Sequence, residues 1–214
     1  MGIANPLRED VRVQLVIKKK CYQFKDEKKD ILSIIKKIEE EVQMTDDVFS
    51  HLIVDGVAVY DDFETYLSDR IGKIGSVEAV FQPVKQHVLE SLYSLEEYLN
   101  RALPEMKALI NEFYTGPAEE SWAKFNQWLE GIEWIQALVT SVDRLTYRPS
   151  NWDQYVLAVA DIQNTLPELE NALQSGDIIL LADILQYEIY PIMESLKTAA
   201  SETIDQEGKR PNVN

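Results

Sequence analysis

The chain has 214 residues, a net charge of −16 and a hydrophobic content of 45%. That length accommodates two compact domains, and the strong negative charge disfavours phosphate backbones, so nucleic acid is excluded as an expected partner. A single cysteine rules out an internal disulfide, and neither a secretory signal nor an apolar run of spanning length is recognised. We therefore expect a cytoplasmic protein that does not bind membranes.

The first predicted elements are two strands joined by a hairpin. Apolar residues alternate with polar ones, and this period of two is typical of half-buried strands. The turn at residues 18–20 contains neither Gly nor Asn-Gly, so the hairpin signal is weak. The alternating apolar residues are Val11, Val13, Leu15, Ile17, Tyr22 and Phe24.

An amphipathic helix is predicted next, with Asp30, or Asp26 one turn earlier, as its N-terminal cap. Its apolar residues recur every three or four positions and form one stripe, while charged residues occupy the other face. The residues of the stripe are Ile31, Ile34, Ile35, Ile38 and Val42.

A second hairpin is predicted at Asp55 and Gly56, because Asp-Gly between two apolar runs is the strongest short hairpin signal. Asp61 and Asp62 are expected to cap a short helix that follows. A closing strand is predicted from its alternating apolar residues, Val77, Ala79 and Phe81.

The stretch from Leu52 to Phe81 resembles the second half of ubiquitin-like β-grasp domains, with a strand, a Gly turn, a strand, a short helix and a closing strand. The resemblance implies such a domain over residues 1–82, used for docking. Conjugated members end in an exposed Gly-Gly tail, whereas Phe81 is followed by Gln82, Pro83 and about 130 further residues. Conjugation chemistry is therefore not implied. The alternative is a small α+β domain of another connectivity.

The remainder, residues 83–206, is predicted to be an acidic, antiparallel four-helix bundle, because its apolar residues step by three or four. Three prolines fall inside the helical pattern and predict kinks, and Pro104 marks either one kinked helix or two helices meeting. The predicted helices cover approximately residues 84–113, 117–145, 151–173 and 178–204. The three prolines are Pro104, Pro167 and Pro191. Residues 207–214 are predicted to be a flexible tail. The fold class is thus α+β.

No catalytic, metal or cofactor signature is recognised. The histidines His51 and His87 lack a Glu three residues earlier, so the metal-binding pairs of carboxylate-bridged bundles are missing. Cys21 lies in or beside a predicted strand, where we expect a buried and inert thiol. Adjacent carboxylates at predicted helix starts interact with the helix dipole rather than flank a cleft.

Eight lysines fall within the twenty residues 18–37, across the first hairpin and the following helix, and we name this set the lysine face. It is either a docking surface, for the acidic bundle of the same chain or for an acidic partner, or a solvated face with helix salt pairs. The candidate binding residues are Lys19, Lys20, Lys28 and Lys29. Its members are Lys18, Lys19, Lys20, Lys25, Lys28, Lys29, Lys36 and Lys37.

The helix after Pro117 carries three of the four tryptophans, and its apolar residues cover roughly 240° of its circumference at 100° per residue. A helix facing one core needs an arc of about 100° or somewhat more. We expect Trp128 and Ile135 in the core, and Trp122 and Trp134 at the edges, where a second surface must be met. Tryptophan is enriched at binding hot spots but also fills cores.

The absence of recognised chemistry favours a non-enzymatic protein that binds another polypeptide, as an adaptor or chaperone-like binder. Self-association through the bundle is compatible with this function. The alternative is a small-ligand-binding or metal-dependent enzyme with a pocket between the domains.

Overall fold

The computed structural model describes residues 12–25, 27–43 and 45–208, without the side chains of Lys28 and Gln43. Strands and short helices come first and long helices follow, so the α+β class is confirmed. The chain divides into two compact units, Met1–Val84 and Lys85–Asn214, which we name the N-terminal unit and the helical unit.

In the described part of the N-terminal unit, five strands form one mixed sheet in the order β2-β1-β5-β3-β4. The central pair, β1 and β5, is parallel, and the other neighbours are antiparallel. The strands are β1 (Arg12–Ile17), β2 (Lys20–Lys25), β3 (Asp47–Val54), β4 (Val57–Val59) and β5 (Ser76–Pro83). The helices are α1 (Lys28–Gln43) and α2 (Phe63–Ser68).

The core of this unit lies between the sheet and α1. The period of two in the strands and the period of three to four in α1 explain which residues are buried in it. Alternate residues of β1, β3 and β5 are buried, and so are residues of α1 at a spacing of three or four. The largest fully buried side chains include Leu15, Ile17, Ile34 and Leu52. The predicted stripe of α1 is therefore the face that packs on the sheet.

Both hairpins contain backbone in the left-handed region. Asp55 has a φ of 48° and Gly56 a φ of 85°, as the two-residue turn predicted from Asp-Gly requires. In the first hairpin Ile17 pairs with Lys20, and Lys18 has a φ of 55°. A lysine thus occupies a conformation that favours Gly or Asn, which is why the sequence signal there is weak.

Two local predictions are wrong. Asp30 is not the cap of α1, because the helix begins at Lys28; its carboxylate instead accepts a hydrogen bond of 3.1 Å from the amide of Lys25. Asp26, the other candidate, and Val11 lie outside the described residues. Cys21 is exposed rather than buried, because it pairs with Val16 on the sheet face opposite the core.

The helical unit contains α3 (Val84–Thr115), α4 (Glu119–Asp143), α5 (Trp152–Ser175), α6 (Ile178–Ile184) and α7 (Tyr190–Glu207). Helix α3 is one helix of 32 residues that runs through Pro104, which settles that alternative. Gly176, with a φ of 69°, ends α5, and the carboxylate of Asp177 accepts a hydrogen bond from Leu180 to cap α6. Of the predicted tail, Glu207 ends α7 and residues 209–214 lie outside the described part.

A π-helical segment, Leu185–Ile189, separates α6 from α7, whereas the sequence predicts one continuous helix there. Pro191 has no N–H and its ring crowds the carbonyl four residues earlier, a disturbance that α3 accommodates at Pro104 without a π segment. The amide of Tyr190 instead donates to the carbonyl of Leu185, five residues earlier. The proline thus predicts an irregularity, and the structure places it one turn before the proline.

Candidate functional site: an aromatic groove between two helices

A groove with a volume of about 360 Å³ lies between α3 and α4 of the helical unit. A second, shallower depression continues it along the same two helices, and Tyr98 and Arg101 line both. We name the combined surface the aromatic groove. Its lining from α3 is Ser94, Glu97, Tyr98, Arg101, Ala102, Glu105, Met106 and Leu109, and from α4 it is Lys124, Gln127, Trp128, Gly131 and Trp134.

The spacing of these residues explains why they form one surface. On each helix they recur every three or four positions, so each set lies along one side of its helix. The α3 set runs from Ser94 to Leu109 and the α4 set from Lys124 to Trp134, which are 15 and 10 steps along the helix and correspond to about 22 Å and about 15 Å at 1.5 Å per residue. The groove therefore runs lengthwise along the two helices.

The floor of the groove is apolar and packed into the core of the helical unit. Met106, Leu109 and Trp128 are buried, and the indole nitrogen of Trp128 lies 3.3 Å from the sulfur of Met193 on α7. These side chains belong to the core and expose only their edges to the groove. A ligand would therefore meet a surface already fixed by packing, which reduces the entropy lost on binding.

One end of the groove is formed by an aromatic pair. The rings of Tyr98 and Trp134 lie 5.4 Å apart at an interplanar angle of 56°, and Trp134 remains 39% exposed. A Cβ on Gly131 would overlap the phenol oxygen of Tyr98, so the glycine creates the space that the tyrosine occupies. Partial burial raises the pKa of Tyr98. The phenol therefore stays neutral and can donate or accept a hydrogen bond.

The charged residues of the groove are of both signs. Lys124 lies 2.6 Å from Glu112, and Arg101 lies 3.9 Å from Glu97. Hydrogen bonding to Lys124, and then to Ser121, lowers the pKa of Glu112. Both cations of the lining thus face carboxylates of the same unit. The surface offers aromatic and apolar contact bordered by ion pairs, an arrangement suited to non-covalent binding.

Trp122, the other candidate at the edge of the α4 arc, does not join the groove. Its ring meets Phe113 at 5.0 Å and Phe125 at 6.2 Å, both nearly edge to face. Its second contact is therefore with α3, inside the helical unit. Trp128 and Ile135 are 6% and 0% exposed, so their predicted place in the core is confirmed.

Four of the eight lysines of the lysine face pair with carboxylates of their own unit. Lys20 lies 3.2 Å from Glu41, and Lys18 lies 2.7 Å from Asp47. Two further pairs are Lys29 with Glu27 and Lys37 with Glu40. Lys19 is exposed in the turn, and the side chain of Lys28 lies outside the described residues. The structure thus agrees better with a solvated face of ion pairs than with a concentrated positive patch.

The α3 side of the groove is not among the residues singled out from the sequence. Tyr98, Arg101 and Met106 lie on an ordinary amphipathic helix, and nothing in their spacing distinguishes them. Gly131 is the one usable signal, because a glycine in a helix interior costs about 1 kcal/mol and indicates a close approach. That signal locates the contact on α4 but cannot identify its partner.

The described residues contain no group of three or more His, Cys, Asp and Glu placed to hold a metal ion. Within the same part of the chain, no helix combines the length and the apolar character needed to cross a membrane.

Residues 90–199, just over half of the chain, match the family model described as a domain of unknown function, DUF8042. The match begins within α3 and ends within α7, so it contains both walls of the aromatic groove. No curated protein and no solved structure matches the chain. The chain therefore belongs to the DUF8042 family.

Proposed function

We propose that this protein is a non-enzymatic, cytoplasmic binding protein whose aromatic groove holds a segment of another polypeptide. The observation that carries the proposal is the pair of Tyr98 and Trp134, which lies at one end of an apolar floor and leaves Trp134 39% exposed. Rigid aromatic side chains beside a buried apolar surface are the usual anchors of protein interfaces.

We infer further that the N-terminal unit is a ubiquitin-like β-grasp domain. The strand order β2-β1-β5-β3-β4, a parallel central pair, and α1 across one face support this fold. The connection between β1 and β5 passes through all the other elements of the unit. Since such a fold serves many functions, it supports docking only by analogy.

We infer that the helical unit is an antiparallel four-helix bundle in which α6, the π segment and α7 together form the fourth helix. Polar contacts support all four adjacent pairs. Helix α3 meets α4 and α7 through Ser121–Glu112 and Ser201–Glu96, at 2.7 and 2.5 Å. Helix α5 meets α4 and α7 through Trp152–Asp143 and Tyr155–Thr203, at 3.1 and 2.8 Å. The groove would then be one outer seam of the bundle.

Site-specific photo-crosslinking in the native cell tests the proposed function. A photoreactive residue replaces Gln127, an exposed residue of the groove, and in a matched chain it replaces Gln154, an exposed glutamine of α5 outside the groove. We expect position 127 to crosslink a discrete polypeptide that position 154 does not. The product should disappear when Trp134→Ala is added.

A chain that gives no polypeptide product at position 127, or the same products at both positions, would overturn the proposal. Circular dichroism of each variant controls for unfolding, because the helical unit should keep its helical signal in all of them.

A further inference from the structure

We propose that the occupant of the aromatic groove is a cationic amphipathic helix of another polypeptide, about three to four turns long. This inference rests on the proposed function and adds the chemical class of the partner. Three features carry it: the shape of the groove, the nature of its walls and the charge of the unit that contains it.

The dimensions of the groove fit a helix. Its two walls run for about 22 Å and about 15 Å, the length of a helix of about 10 to 15 residues. A helix lying along the groove would place apolar residues at a spacing of three, four and seven over Met106, Trp128 and the aromatic pair. The apolar floor lies along the centre, and the ion pairs of Arg101 and Lys124 border it.

The walls also favour a helix over an extended strand. Both walls are α-helices, whose backbone groups are already hydrogen-bonded within α3 and α4. An extended segment would therefore find no sheet edge to pair with and would lose the solvation of its own amides. A helix satisfies its backbone internally and presents only side chains.

The net charge of the helical unit determines the sign of the charge that we expect on the partner. Residues 83–214 contain 9 basic and 21 acidic side chains, which gives a net charge of −12. In the groove, Arg101 and Lys124 already face Glu97 and Glu112, and Glu105 adds another carboxylate to the lining. A cationic ligand is therefore attracted, whereas a second copy, with its own charge of −16, is repelled.

Two synthetic helical peptides of 14 residues test the inference against the full chain. They share one apolar pattern and differ only in carrying Lys or Glu at every polar position, and binding is followed by the anisotropy of a dye on the peptide. We expect the lysine peptide to bind at least about tenfold more tightly than the glutamate peptide, and less tightly at higher salt.

Charge alone could attract the lysine peptide anywhere on so acidic a chain, so uncharged substitutions locate the site. Trp134→Ala should weaken binding by about tenfold, the effect of losing a hot-spot aromatic. Leu157→Ala and Tyr187→Ala are matched controls, since both residues are more exposed than Trp134 and lie outside the lining. They should change the affinity by less than about twofold.

Equal affinity for the two peptides would overturn the inference, as would an affinity that Trp134→Ala leaves unchanged. Sedimentation of the chain alone tests whether a second copy occupies the groove. A dimer that Trp134→Ala converts to monomer would mean that self-association fills the groove, and would overturn the inference. If position 127 still crosslinks a polypeptide while the lysine peptide fails to bind, only the partner class is wrong. If position 127 crosslinks nothing, the proposed function itself fails.

Discussion

The lysine face of the N-terminal unit and the tryptophans on the α4 side of the aromatic groove are both conspicuous in the sequence, but their surroundings in the structure differ. Four lysines of the face lie within 3.2 Å of carboxylates of the same unit. In the groove, Trp134 keeps 39% of its surface exposed even with the ring of Tyr98 beside it. Charges can be neutralised by flexible neighbours, whereas an apolar ring needs a fitting surface. A partly exposed aromatic that lines an apolar groove is therefore the better indicator of binding.

The largest expected effect separates two of the three tryptophans of α4, Trp128 and Trp134. Trp128→Ala should lower the free energy of unfolding of the helical unit by about 3 to 5 kcal/mol, because it removes a buried ring and leaves a cavity. Trp134→Ala should cost about 1 kcal/mol, the value of one partly exposed aromatic pair. Urea unfolding of the full chain, followed by helical circular dichroism, measures both.

Equal losses for the two substitutions would mean that Trp134 belongs to the core as fully as Trp128. The groove would then lose its anchor, and the contrast between the two surfaces would disappear.

Much of the fold follows from the sequence because its signals are local. Three kinds of signal each depend on a few adjacent residues: the Asp-Gly turn, the apolar stripe of α1 and the helix breaks near Gly116 and Gly176. The structure has the turn, the helix and the two breaks at these positions. The class α+β follows from the change in period. The burial of Trp128 and the exposure of Trp134 follow from their positions on the α4 arc.

What the sequence could not supply depends on contacts between distant residues. Cys21 is exposed because of its register with Val16, and a shift of one residue would reverse its face. The partner of Gly131 is Tyr98, 33 positions earlier, and no period connects them. The α3 side of the groove therefore cannot be predicted from the sequence, because it is recognised only from the packing of α3 against α4.

The next effect concerns two glycines, one in each unit. Gly56 has a φ of 85° and Gly176 a φ of 69°, and a Cβ on either would meet nothing within 4 Å. Alanine at each position should therefore cost about 1 kcal/mol through backbone strain alone. We expect Gly56→Ala to lower only the unfolding transition of the N-terminal unit, and Gly176→Ala only that of the helical unit.

Hydrogen exchange measured by mass spectrometry assigns each loss to a unit. If either substitution raised exchange equally in both units, they would unfold as one cooperative structure, and the two surfaces could not be compared as independent regions.

A smaller, pH-dependent effect tests whether the lysine face is a structural feature. Hydrogen bonds from Lys20, and then from Tyr22, lower the pKa of Glu41 from its usual 4.5. The ionised carboxylate therefore stabilises the folded N-terminal unit above pH 4.5, and this contribution is lost as the pH falls through the lowered pKa of the folded state. Glu41→Gln should remove that part of the acid dependence.

Unfolding midpoints of the natural chain and of Glu41→Gln, measured between pH 3 and pH 7, give the comparison. Parallel pH profiles would show that the contacts of Glu41 contribute nothing, and that the lysines beside it are not held by it.

The smallest expected effect is that of removing exposed lysines. Lys19 lies in a turn, and Lys29 pairs with Glu27 while its side chain remains 73% exposed, so solvent screens its charge. Lys19→Gln and Lys29→Gln should leave both the unfolding midpoint and the crosslinking yield at position 127 unchanged.

Lys20→Gln is the matched control. Its partner Glu41 has a side chain only 8% exposed, so removal of the cation should destabilise the N-terminal unit. A loss of crosslinked product with Lys19→Gln or Lys29→Gln, at unchanged stability, would make the lysine face part of the binding surface and remove the contrast with the groove.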